Sequence, residues 1–230
     1  ARIREDYLRI LRFFRFLAWY GDRAAPGTVE AITAERSGLP RVSAERIGAE
    51  MRKLLAAPNP APALALMAET GVLPQILPDA DPTPLSALID AEAAYGIPPD
   101  WLRRLAAMSA SDAPERLRLS RAETAQLTAL QRAESLTIDE AAFRHGARTA
   151  RDSALIRLAK GGSLPRDWID RIDRAASAPL PISAADLMPD LTGPALGQGL
   201  KAAEHAWIAS GFSAPRDVLI KAAYAEGQTA

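Results

Sequence analysis

Near its start the chain sets Glu5, Asp6, Arg9 and Arg12 into an otherwise apolar segment, ARIREDYLRILRFFRF. At about 100° per residue, Ile3, Tyr7, Ile10, Phe14 and Leu17 share one face at spacings of four and three, the pattern of a helix buried along that side. Glu5, Arg9 and Arg12 line the roughly opposite side, and Asp6 lies one helical step from Arg9. A carboxylate accepts hydrogen bonds and a guanidinium only donates them. Held on one rigid helix, the two can pair with each other, which at i,i+4 on a surface is worth a few tenths of a kcal/mol. They can also read a planar group that offers a donor beside an acceptor. Spacing alone leaves both open.

The surrounding residues narrow the choice. EDYLRILRFFRF, from Glu5, resembles the nucleotide-selecting motif in the neck of class II tRNA nucleotidyltransferases, the CCA-adding enzymes, and of the related bacterial poly(A) polymerases. SAERIGAEMRKLL, from Ser43, is similar to the second neck motif of that family, and the stretch from Pro60 to Pro78 is similar to the segment that follows it. Asp186 to Met188, Gly193 to Gly197 and Glu204 to Ile208 resemble the family's tail signature. Order and spacing agree over nearly the whole chain. The resemblance implies an all-α, elongated multi-helix assembly: a neck with the nucleotide-selecting helix over 1–58, a helical body over 59–145 and a tRNA-binding helical tail over 146–230.

In that family the aspartate and arginine of the first motif pair with the incoming base, and the resemblance carries these roles to Asp6 and Arg9. The chemistry is consistent. Cytosine and adenine both present an amine donor beside a ring-nitrogen acceptor, whereas uracil and guanine present a carbonyl beside a ring N–H. A carboxylate and a guanidinium satisfy the first pair and leave groups unmatched against the second, at about 1–3 kcal/mol for each buried mismatch. Glu5 is expected to orient Arg9, and Arg12 to reach ribose or phosphate. CTP, ATP and tRNA are the implied partners.

Nucleotidyl transfer also needs carboxylates that hold metal ions on the triphosphate. No catalytic residue of that kind is expected in this chain. The nearest candidate, Asp79 and Asp81 in LPDADPTP, has no glycine-rich turn or β-branched strand before it and reads as a proline-rich loop. The family carries its carboxylates, and with them Mg2+, in a head domain. The chain opens at Ala1 directly on the motif helix, so the head is expected N-terminal to Ala1, and this chain alone is expected to be inactive.

Composition agrees with a helical protein. The 230 residues are 48% apolar and 24% charged, with few aromatic or β-branched side chains and many alanines, leucines and arginines. There is no cysteine, so disulfides and thiolate metal sites are excluded. No apolar run approaches a membrane span and no signal peptide is visible, which predicts a cytoplasmic protein with no membrane partner. Helix starts are predicted at Ser43, Ser120, Thr137 and Ser183, the last three followed by an acid at the capping-box position. Breaks are predicted at Pro58–Pro62, Pro78–Pro84, Gly96–Pro99, Gly161–Pro165 and Pro179–Pro181.

Net charge is zero, yet charge is unevenly placed. Arg144, Arg148, Arg151, Arg157 and Lys160 belong to a basic run that reads either as a solvated helix face or, with the resemblance, as the surface that holds RNA phosphates. His145 and His205 are far apart and offer no metal pair, so no metal site is expected. Gly193 to Gly199 reads as a turn into a helix, since no strand precedes it. Trp19, Trp101, Trp168 and Trp207 read as core, whereas Phe16 extends the polar stripe of Arg9 and Arg12. The ending YAEGQTA lacks the basic extension expected of a poly(A) polymerase and favours CCA addition. A freestanding helical RNA-binding or scaffold module without catalysis is the alternative from another class.

Overall fold

Alanine-, leucine- and arginine-rich segments become helices, and proline and glycine stop them. The computed structural model describes residues 2–21, 24 and 27–227, with Arg2 as backbone only. The expectations placed on Ala1 and on the terminal residues 228–230 lie outside the described residues. Among the described residues there is no strand, and the fold is all-α. The chain divides into two compact units, one made of Ala1–Ser135 with Asp152–Leu164 and the other of Leu136–Arg151 with Pro165–Ala230.

The first unit contains α1 (Arg2–Glu5), α2 (Leu8–Tyr20), α3 (Thr28–Glu35), a 3-10 turn over Arg36–Arg41, α4 (Ala44–Leu55), α5 (Ala61–Glu69), α6 (Leu73–Ile76), α7 (Leu85–Ala94), α8 (Trp101–Ala107), α9 (Ala113–Arg116) and α10 (Arg121–Glu134). Helix α2 packs on α4 and α5, and α4 packs on α8. Ile10, Leu11 and Phe14 of α2 meet a core that includes Met51, Leu54 and Leu55 of α4 and Leu64 and Met67 of α5, all essentially without exposed surface. Each such side chain contributes roughly 1.5–3 kcal/mol by leaving water.

Two features of the opening segment differ from the single helix that periodicity predicts. The helix breaks after Glu5, where the Asp6 carboxylate accepts the Leu8 amide (3.1 Å) in a local side-chain-to-backbone turn that competes with a continuous helix. The buried stripe of α2 is also rotated: Leu8, Ile10, Leu11 and Phe14 are buried, while Ile3, Tyr7 and Leu17 are only half-buried. Tyr7 instead lies flat over Gly38, where a Cβ would stand 1.9 Å from the ring, so that position accepts only glycine.

A buried ionic cluster joins α4, α7 and α8. Arg104 (0% exposed) donates to the carbonyls of Leu55 (2.7 Å) and Ala57 (2.6 Å) at the end of α4 and to both sides of one Glu92 oxygen's reach, Nε at 3.1 Å and Nη2 at 2.7 Å from Oε2. Arg103 binds the other Glu92 oxygen (2.7 Å), Asp152 (2.6 Å) and the Pro98 carbonyl (2.6 Å). Burial alone would weaken the charge on Arg103, but Asp152 and Glu92 more than offset it and hold the guanidinium protonated.

The second unit carries the part of α11 (Ile138–Ala159) up to Arg151, the residues from Asp152 on being assigned to the first, followed by α12 (Trp168–Ser177), a 3-10 turn over Ala184–Asp186, α13 (Gly193–Ala209) and α14 (Arg216–Gly227). Gly146 interrupts α11 with φ 81° and ψ 165°, a backbone shape that L side chains rarely adopt. Ile182, Leu187, Leu191, Ala203, Trp207, Leu219 and Ala223 form this unit's core. The predicted capping box at Ser120 and Glu123 is present with both bonds, and Thr137 accepts the Glu140 amide (3.2 Å). The box at Ser183 and Asp186 also forms, but it opens only the three-residue 3-10 turn, because Pro189 follows within one helical turn. Gly193 is already the first residue of α13 rather than a turn before it.

The buried cluster yields a stability prediction. Glu92→Ala leaves two guanidinium groups buried without their shared acceptor and should destabilise the first unit by about 3–5 kcal/mol. Urea unfolding of the variant, with the midpoint compared at unchanged slope, checks it.

Candidate nucleotide- and RNA-facing site

Helices α2 and α4 meet through crossed charges. Arg46 of α4 donates to Asp6 Oδ2 (3.0 Å), while Asp6 Oδ1 takes the Leu8 amide. Glu50 of α4, 6% exposed, stands 3.1 Å from Arg15 Nε and 3.7 Å from Arg12 Nε on α2. Burial pushes the Asp6 carboxyl upward, but the Leu8 amide and the Arg46 guanidinium, with a further contribution from Arg12, outweigh it and leave its pKa below the ordinary aspartate value. Asp6 is therefore an ionised acceptor with lone pairs to spare.

Arg9 differs from its neighbours. It is exposed, and no hydrogen bond or ion pair engages its side chain among the described residues. Glu5 is exposed too, and no contact joins it to Arg9 there. The first helical turn of α2 thus presents an ionised, positioned carboxylate and an unengaged guanidinium. Arg46 and Glu50, which position this face, were not legible as site residues: their i,i+4 spacing on a charged helix is that of an ordinary surface pair.

The five cations of the basic run fall in different units: Arg144, Arg148 and Arg151 in the second, Arg157 and Lys160 in the first. Arg144 pairs with Glu204 (2.9 Å) and Glu140 (3.3 Å), Arg151 pairs with Asp173, and Lys160 pairs with Glu134 (2.6 Å) and Ser109 (3.0 Å). Asp79 accepts from Ser111 (2.8 Å) and Asp81 from the Thr83 amide (2.9 Å), so both acids serve the loop. Among the described residues no three His, Cys, Asp or Glu side chains are grouped to hold a metal ion, and no helix is long and apolar enough to cross a membrane. Trp168 and Trp207 are buried as expected, but Trp19 is not core: it is 42% exposed, with its indole N–H bonded to the Lys53 carbonyl (2.8 Å).

Known proteins share this sequence and arrangement. The profile of a family described as "Probable RNA and SrmB- binding site of polymerase A" matches residues 24–83. The CCA-adding enzyme of Geobacillus thermodenitrificans is 42% identical over 107 residues, which is 46% of this chain and 22% of that protein. The chain is similar to the CCA-adding enzymes over the part of their length that it covers. Its fold matches that of the family member from Bacillus stearothermophilus crystallised with CTP, at TM-score 0.64 and 24% identity over 100% of this chain and 65% of that one. It also matches the Thermotoga maritima CCA-adding enzyme complexed with tRNA, at TM-score 0.58 and 16% identity over 97% of this chain and 62% of that one. The chain therefore spans less than two thirds of the length of these family members.

A pH prediction follows from the Asp6 contacts. Because its folded pKa lies below the unfolded value of about 3.9, the Asp6 contribution to α2 is present above that value and is lost as pH falls through the folded pKa. Carboxyl-detected NMR should show an Asp6 midpoint below the ordinary one, and Arg46→Ala should move it up towards that value. A midpoint unchanged by Arg46→Ala would remove Arg46 from the site.

Proposed function

We propose that this chain is the nucleotide-selecting and RNA-holding part of a template-independent nucleotidyltransferase that adds C and A of the CCA sequence to tRNA 3′ ends. The observation that carries the reading is the pair at the start of α2: Asp6, ionised and fixed by Leu8 and Arg46, beside an unengaged Arg9. Asp6 accepts the exocyclic amine of cytosine or adenine. Arg9 donates to the ring nitrogen and, for cytosine, to O2. Uracil and guanine place a carbonyl against Asp6 and an N–H against Arg9, and both contacts are lost. Arg12, held by Glu50 yet half-exposed, faces the ribose or phosphate, and Glu5 adds negative charge that orients Arg9 once a base is bound.

Phosphoryl transfer in this reading uses carboxylates in the portion of the family members that the chain does not cover. Mg2+ would be held there, since the described residues offer it no ligand group, and no step in this chain runs through the metal. Arg144, Arg148, Arg151, Arg157 and Lys160 contact RNA phosphates, which take the place of Glu204, Asp173 and Glu134 at three of these cations. Recognition follows the shape of the tRNA acceptor arm, because A-form grooves hide base identity. The protein acts in the cytoplasm.

Two measurements test the reading. In the protein that joins this chain to its catalytic carboxylates, Asp6→Ala or Arg9→Ala should lower the preference for CTP and ATP over UTP and GTP by about tenfold or more, as loss of one buried contact implies. Weakened tRNA binding with preserved selectivity would refute the assignment. The 230-residue chain by itself should bind tRNA with a steep salt dependence yet incorporate no nucleotide from CTP or ATP with Mg2+. Turnover by the pure chain would relocate the carboxylates.

A further inference from the structure

At its far end α2 carries three exposed rings. Phe16, Trp19 and Tyr20 are 52%, 42% and 79% exposed, unusual values for large aromatic side chains on one helical turn. The Phe16 and Tyr20 centroids are 6.1 Å apart and inclined by 35°, and those of Trp19 and Tyr20 are 6.3 Å apart and inclined by 37°. The Arg15 guanidinium lies 4.6 Å from the Phe16 centroid. Together with Lys53 and Ala56, these four side chains line a cavity of about 290 Å3. Because the Trp19 N–H already binds the Lys53 carbonyl, the indole is fixed and has its faces, not its polar edge, to offer.

The chemistry of the lining selects the occupant. No carboxylate lines it, and of its two cations Arg15 is paired with Glu50 behind the lining (3.1 Å) while Lys53 adds positive charge, which suits an anionic strand. Lysine is depleted from protein–protein contact surfaces, whereas rings interleaved with cations are what single-stranded nucleic acid requires. Position agrees as well. On α2, Arg9, Phe16 and Tyr20 stand at i, i+7 and i+11 and so share one face within about 40°. Along the axis Phe16 is about 10 Å and Tyr20 about 16 Å from Arg9. An exposed stripe therefore joins the base-reading pair to the rings.

We propose that Phe16, Trp19 and Tyr20 form a stacking shelf for an unpaired base of an RNA strand, with Lys53 on the adjoining phosphate. The proposal rests on the nucleotide-facing reading of α2 only for which RNA is delivered. The shelf itself is sequence-tolerant, because every base has a π-face.

The test is a titration of the 230-residue chain with a short oligocytidylate, followed by tryptophan fluorescence. Quenching is expected, with affinity falling by about five- to a hundredfold in Phe16→Ala and Tyr20→Ala and staying within about twofold in Tyr20→Phe. Both positions are at the surface, so circular dichroism should show the variants folded. Unchanged affinity in both alanine variants overturns the shelf, as does the same quenching by inorganic polyphosphate, which has no bases. Self-association that shields Trp19 and excludes the oligonucleotide overturns it in favour of a second copy of the chain. Binding of a tRNA transcript, measured in parallel, separates the two readings. If tRNA binds but the oligonucleotide ignores the rings, the shelf fails and the tRNA reading stands. If the oligonucleotide stacks but tRNA is not held, the shelf stands and the tRNA reading fails.

Discussion

Arg104 has no exposed surface and still carries a full charge, and the first unit is arranged around the way that charge is met. The last carbonyls of a helix lack intrahelical partners and bear partial negative charge. Arg104 answers both needs at the end of α4, where it binds the Leu55 and Ala57 carbonyls, and it shares Glu92 with Arg103. A single carboxylate of α7 thereby ties together two consecutive arginines of α8, and through them α4 and Asp152. Each member is costly to bury alone and tolerable only in the company of the others.

With its C-terminal end anchored, α4 also presents charged side chains to α2. The exchange there is reciprocal: Arg46 goes to Asp6, while Glu50 goes to Arg12 and Arg15. The Arg46–Asp6 pair, partly exposed on both sides, contributes little to stability. What these contacts decide is which charges are committed. Asp6 is held ionised just before α2, Arg12 and Arg15 are drawn to Glu50, and Arg9 alone in this group is left to solvent. Tyr7 over Gly38 fixes the approach of the chain to the same turn. Under the proposed reading, selectivity between bases would depend on such placement, since a reader free to rotate would match either hydrogen-bonding pattern.

The second unit shows how a neutral chain can still offer cationic surface. Arg144, Arg151 and Arg171 pair with Glu204, Asp173 and Asp139, so the excess of arginine along α11 and α12 is balanced in place. Partly exposed pairs are inexpensive to exchange, and a phosphate oxygen is an equivalent acceptor for a guanidinium. A neutral sum and an anionic ligand are therefore compatible.

Local signals were read well from the residues: the all-α class, the proline and glycine breaks, the capping box at Ser120 and Glu123, and Ile10 and Phe14 as core. Each depends on neighbours within about one turn. The break at Asp6, the rotated stripe of α2, the burial of Arg103 and Arg104 and the exposure of Trp19 were not legible, because each depends on a partner distant in the chain: Arg46, Leu64 and Met67, Glu92, or the Lys53 carbonyl. An arginine beside a leucine reads the same whether water or a carboxylate faces it. The sequence by itself determined that this protein is a set of helices, where they stop, and which motif carries an acid and an arginine one turn apart. Only the tertiary structure decided which of those charges is spent on a neighbouring helix and which is left to meet a ligand, because a charge is committed by the group packed against it, not by the residues on either side.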